Sequence, residues 1–156
     1  MALRWASLLL SEAAFSSVSI NTAIQSARKP LASLPALRRC AHAGGVPVII
    51  KGDPANNFRI TASQLSKAMT DKTRMVIINS PSNPSGAVMA DSEFEKLCRL
   101  THERGIYVIT DECYSHFVYG EARPFSIAGV ADSKPHLITI GSCSKTFSMT
   151  GWRVGY

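Results

Sequence analysis

From Met75 onward, short apolar runs alternate with polar, turn-rich stretches, and the runs themselves show no internal alternation. Met75-Val-Ile-Ile-Asn79, Ile106-Tyr-Val-Ile-Thr110 and Leu137-Ile-Thr-Ile140 have the length and composition of strands covered on both faces. Between the first two, Phe94, Leu97, Cys98 and Thr101 recur at i, i+3, i+4 and i+7. That spacing predicts an amphipathic helix over about 91–104, closed by Gly105. Thr61, followed three residues later by Gln64, predicts a capping box opening a short helix through Met69. Val46-Pro-Val-Ile-Ile50 predicts a further strand, with Pro47 marking an edge or a strand start. A helical turn is expected over 125–130. Strands alternating with helices predict an α/β fold, three layers (α/β/α) around a mostly parallel sheet.

Each of the three central strands runs into an unusual polar segment: Ser80-Pro-Ser-Asn-Pro-Ser-Gly86, Asp111-Glu-Cys-Tyr114 and Gly141-Ser-Cys-Ser-Lys145. Open parallel sheets bind ligands beyond the carboxyl ends of their strands, and right-handed crossovers bring those ends to one edge. In the third segment Lys145 lies among serines and is followed eight positions later by Arg153. An amine, hydroxyls and a guanidinium at the end of a buried strand suit a ligand that carries both an aldehyde and a phosphate, as pyridoxal phosphate does. Taken singly, Asp111 reads as a helix cap and Asn83 as a turn residue.

Composition changes this picture little. The 156 residues are 46% hydrophobic and 18% charged, ordinary for one folded domain. The net charge of +6 is concentrated at the start, where Arg4, Arg28, Lys29, Arg38 and Arg39 face the single acid Glu12. No basic stripe interleaved with aromatics marks a nucleic-acid surface, and no apolar run approaches the ~20 residues that span a membrane. Cys40, Cys98, Cys113 and Cys143 form no C-x-x-C pair, which favours free thiols in a reducing, cytoplasmic setting over disulfides. They share no ligand spacing with the four histidines, so no zinc site is expected. Residues 1–42 contain seven serines and no glycine. Their composition reads either as an organellar transit peptide or as a misplaced start ahead of the true coding segment, and the second is preferred.

The three segments in this order resemble the class I/II aminotransferases, pyridoxal-phosphate enzymes of fold type I, and within them the aspartate and aromatic aminotransferase branch. The resemblance spans 43–156 and is carried by Asn-Pro-Ser-Gly-Ala-Val and by Lys-Thr-Phe-Ser-Met-Thr-Gly-Trp-Arg-Val-Gly-Tyr. It implies that Lys145 is the Schiff-base lysine and later the proton carrier, and that Asp111 pairs with the pyridine nitrogen. It further implies that Asn83 and Tyr114 hydrogen-bond the phenolic oxygen, with a cis peptide before Pro84. Ser142, Ser144 and Arg153 are implied phosphate ligands, the helix following Lys145 adding its N–H groups. Phe147 and Trp152 are expected to pack, His116 and Tyr119 to shape a wall, and Gly44 and Gly45 to turn the chain. Residues 152–156 are expected to begin another strand.

The resemblance implies amino-acid and 2-oxo-acid substrates and a homodimer. It also implies a glycine-rich phosphate turn, a ring stacked on the pyridine and an arginine for the substrate carboxylate, none of which has a counterpart in this chain. The expectation is therefore a partial large domain over 43–156, truncated at its C-terminus and marginal by itself, with little or no activity. Two other readings remain: a carbon–sulfur lyase of the same fold, and a non-catalytic remnant.

Overall fold

In a computed structural model the chain is described at Cys40, over 45–130 and over 135–156. The segment 1–42, Cys40 apart, and Gly44 lie outside the described residues, so the readings placed on them have no structural counterpart here.

The three apolar runs form the three strands of one parallel sheet: β1 (Met75–Asn79), β2 (Tyr107–Asp111) and β3 (Leu137–Ile140), in the order β1-β2-β3. The register pairs Asn79 with Asp111 and Asp111 with Ile140, so all three carboxyl ends finish level on one edge. Two helices precede or link the strands, α1 (Ala62–Ala68) and α2 (Asp91–Glu103), the latter forming the crossover from β1 to β2.

The capping box at α1 is complete. Thr61 Oγ1 accepts from the Gln64 N–H, and Gln64 Oε1 accepts from the Thr61 N–H at 2.9 Å. Glu93 ties the two helices together, accepting from the Ala62 N–H at 2.7 Å while pairing with Lys96. In α2 the four positions read from the periodicity are the buried ones: Phe94, Leu97, Cys98 and Thr101. Phe94, Leu97 and Cys98 pack with Leu65 of α1, Val76 and Ile78 of β1, Val108 of β2 and Ile127 into one core on a single face of the sheet. The opposite face carries Ile109 and Ile140, with Met75, Ile77 and Ile138 half-buried beside them. Among the described residues, helices therefore cover one face, two of the three layers expected. No helix among them is long and apolar enough to cross a membrane.

Four expectations are corrected. Residues 46–50 form no strand: no other described strand lies alongside to supply backbone partners, and Val46 and Val48 are exposed. The second strand starts at Tyr107, because the Ile106 N–H is taken by the Thr101 carbonyl as the chain leaves α2 through Gly105 at φ +62°. Residues 152–156 do not extend the parallel sheet. They return antiparallel onto the start of the Lys145 segment, bridging Gly155 to Ser142, with Gly141 and Tyr156 exchanging both backbone bonds. Phe147 and Trp152 do not pack: both are largely exposed, since no described residue covers them.

Leu97→Ala should cost about 2–5 kcal/mol and Thr61→Ala about 1 kcal/mol, measured by urea denaturation of the chain. The ranking tests whether the α2 face or the α1 cap contributes more.

Candidate active site

The level strand ends set the site. Asn79, the last residue of β1, is almost fully buried. Its Nδ2 donates to the Asp111 carbonyl at 3.0 Å, and its Oδ1 accepts from the Asn83 N–H at 2.9 Å. The loop that follows turns through Ser80-Pro81 and Asn83-Pro84, both cis as expected for the second. At its end Asn83 Nδ2 donates to Tyr114 Oη at 3.0 Å. Asn83 and Tyr114, both of which the resemblance sets on one phenolic oxygen, are thus in direct contact with each other.

Asp111 ends β2 with its side chain only 3% exposed, and among the described residues no lysine, arginine or histidine pairs with it. One carboxylate oxygen accepts from the Cys113 N–H at 3.1 Å. Burial raises its pKa above the ordinary carboxylate value, the Cys113 thiol and backbone N–H oppose the rise, and Glu112 adds to it. Glu112 points elsewhere, accepting from the Ile127 N–H and from Thr110 Oγ1. The Cys113 thiol, pushed up to about 12 chiefly by burial and then by the Asp111 charge, also feels the Ser142 hydroxyl and the Lys145 ammonium. Asp111, Cys113, Ser142 and Lys145 thus share one neighbourhood.

Lys145 is half-buried within a short helix, α3 (Cys143–Thr146), which starts before it rather than after it. The reason is Ser142: its Oγ accepts from the Ser144 N–H at 3.1 Å and caps the helix two residues early. The Ser142 hydroxyl is thus engaged as a cap through its oxygen and also bonds toward the Cys113 sulfur. The Ser144 carbonyl accepts from Thr150 Oγ1. Arg153 adopts a left-handed φ of 53°, which reverses the chain so that the Val154 carbonyl accepts from the Cys143 N–H. Its backbone is held beside Ser142 and Cys143, and its Nη1 donates to the Thr150 carbonyl at 3.0 Å. Among the wall residues, His116 Nδ1 lies 3.4 Å from Thr146 Oγ1, whereas Tyr119 is 80% exposed.

Sequence reasoning missed Asn79 and Cys113. Asn79 closes an apolar run as its one polar residue, a signal too common to single it out. Cys113 sits between two residues that drew all the attention, and only the fold shows its thiol facing Asp111.

The arrangement can hold a cation against Asp111 and can present an amine and a donor pair to one small ligand. The Asn83–Tyr114 bond has a direction that matters: Tyr114 Oη accepts, so its own proton is left to donate to another acceptor.

The model of the family "Aminotransferase class I and II" matches residues 36–156. An aspartate aminotransferase from Bacillus sp. (strain YM-2) is 48% identical over 115 residues, 73% of this chain and 29% of the relative. The structure of an aromatic aminotransferase from Pyrococcus horikoshii superposes with a TM-score of 0.72 at 44% identity, covering 75% of this chain and 31% of that one. An aspartate aminotransferase from Thermus thermophilus with maleate gives a TM-score of 0.71 at 36% identity, covering 76% and 30% respectively. The chain thus spans about three-tenths of the length of these proteins.

Because burial raises the Asp111 pKa, the folded chain holds that proton more tightly than the unfolded chain does. Stability is therefore lost as pH rises above the ordinary value of 3.8 and through the folded pKa. Asp111→Asn removes the charge and keeps an acceptor for Cys113. Its thermal midpoint should exceed the parent's at pH 7, with the gap closing below pH 3.8; equal midpoints throughout would contradict the assigned burial cost.

Proposed function

Because this chain belongs to the class I and II aminotransferase family, we propose that residues 43–156 carry the cofactor half of a transaminase site that takes pyridoxal phosphate. The observation that supports this most directly is Asp111, a buried carboxylate at a strand end with no cationic partner among the described residues. A protonated pyridine nitrogen is the partner it lacks. Supplying one would restore the ionised carboxylate and offset its desolvation.

The remaining residues fit the same group. Asn83 Nδ2 and the Tyr114 hydroxyl proton would both be aimed at a phenolic oxygen and favour its ionised form. Lys145 Nζ, half-buried near Asp111 and Cys113, is the amine that would attach to the aldehyde. Once released by an incoming amino acid, the same amine would take the α-carbon proton and return it one position away. Ser142 and Ser144 would offer their side chains to the phosphate, and Arg153 would be its cation, reached by turning away from Thr150. Pyridoxal phosphate supplies, when bound, an electron-poor ring that accepts the electron pair left as that proton departs.

On this reading the substrates are an amino acid and a 2-oxo acid, the setting is cytoplasmic, and the working form is a homodimer. The arginine for the substrate carboxylate would come from outside this chain's residues.

Trapping with borohydride tests the reading. The chain is incubated with pyridoxal phosphate, reduced, digested and mapped by mass spectrometry. Label should concentrate on the Lys145 peptide, vanish in Lys145→Ala and fall about tenfold in Asp111→Ala, the loss expected for one charge-assisted bond. Label spread evenly over the lysines would overturn it.

A further inference from the structure

We propose that Asn79 is a positioning residue whose single carboxamide fixes where Asn83 and Asp111 stand relative to each other. Asn83 and Asp111 come from different strand ends, 28 positions apart in the chain. The two loops that carry them can move apart unless something crosses between them. The Ser80 N–H reaches the Asp111 carbonyl at 3.3 Å and Asn83 Nδ2 reaches Tyr114 Oη at 3.0 Å, but the Asn79 carboxamide is the side chain that bonds Asp111 and Asn83 themselves. Asn79 has Asp111 as its register partner in the sheet, and its side chain spans from the Asp111 carbonyl to the Asn83 N–H, with bonds of 3.0 and 2.9 Å.

Only one orientation of this carboxamide satisfies both neighbours. The flipped amide would set Nδ2 against the Asn83 N–H and Oδ1 against the Asp111 carbonyl, two like-with-like contacts in a buried place. No other residue type of similar size offers one acceptor and one donor so placed while remaining uncharged. The effect continues outward. Asn83, held at its N–H by Asn79, is held at its Nδ2 by Tyr114 Oη at 3.0 Å. Asp111, Asn79, Asn83 and Tyr114 form a closed course of contacts whose two ends both stem from the Asp111–Tyr114 turn. The aim of Asn83 and Tyr114 is thereby referred to the same backbone that presents the Asp111 carboxylate.

The functional meaning rests on the reading that these residues hold pyridoxal phosphate, whereas the test below needs no cofactor. Failure of trapping at Lys145 would sink that reading; failure here would sink only the coupling. The experiment is NMR of the 15N,13C-labelled chain, comparing the parent with Asn79→Ala and Asn79→Asp. Thr101→Val serves as a control, removing a buried hydroxyl that bonds only within α2. In Asn79→Ala the Asn83 amide should lose about tenfold in hydrogen-exchange protection, the worth of one buried bond. The Asn83 side-chain NH2 signals should move with it, and Thr101→Val should move neither.

Asn79→Asp separates the two bonds. Ionised, it still accepts from the Asn83 N–H but has no donor for Asp111, so the Asp111 carbonyl shift changes while Asn83 protection is kept. Protonated at low pH it regains a donor, and the carbonyl shift should return. Unchanged Asn83 signals in Asn79→Ala, equal changes in Thr101→Val, or an Asp111 carbonyl indifferent to Asn79→Asp would each overturn the proposal. If both Asn79 variants fail to fold while Thr101→Val folds, Asn79 serves global stability alone and the proposal falls.

Discussion

Everything at the site depends on parallel strands ending in step. Parallel ladders fix their register by backbone bonds, and here the register runs Asn79, Asp111, Ile140 across the edge. A slip of one residue would turn each side chain to the other face of the sheet. Val76, Ile78 and Val108 would then leave the helix-covered core, and Asp111 would lose its place opposite Asn79 and Ile140. The apolar packing that pins the register is thus the same force that places the polar residues.

That placement is unfavourable for the carboxylate itself. A group 3% exposed, without a cationic partner among the described residues, has given up water and gained a backbone N–H and a thiol in exchange. Folding tolerates this because the core on the other face of the sheet supplies a surplus. A cation placed beside it would offset that loss. The neighbouring thiol is shaped by the same burial: held near 12, Cys113 stays protonated and can offer its S–H to Asp111 without competing as an anion.

Much of this was legible in the chain. Unbroken apolar runs gave the three strands, the i, i+3, i+4, i+7 spacing gave α2 with its buried residues, and Thr61-x-x-Gln64 gave the α1 cap. These signals are local, and each element's own residues decide it. The readings that failed depend on neighbours. Residues 46–50 have strand composition, but a strand needs a second backbone. Residues 152–156 look like the start of another parallel strand, yet a left-handed Arg153 reverses them. Asn79 was unreadable for a related reason. Its importance lies in two bonds to residues brought near by folding, and nothing in its sequence surroundings distinguishes it from an ordinary strand end.

The return of the chain onto Gly141 reaches beyond energetics. A Cβ built on Gly141 would fall within the ring of Tyr156, while one on Gly155 would meet the Gly141 carbonyl at 2.8 Å. The missing side chain of one residue is the seat of another fifteen positions away. Substitution histories at 141 and 156 are therefore not independent. A methyl group at 141 requires the exposed ring at 156 to swing aside, whereas a methyl group at 155 meets backbone that cannot. The backbone around Lys145 and the side chain at 156 are therefore tied together by shape, whatever reaction the lysine serves.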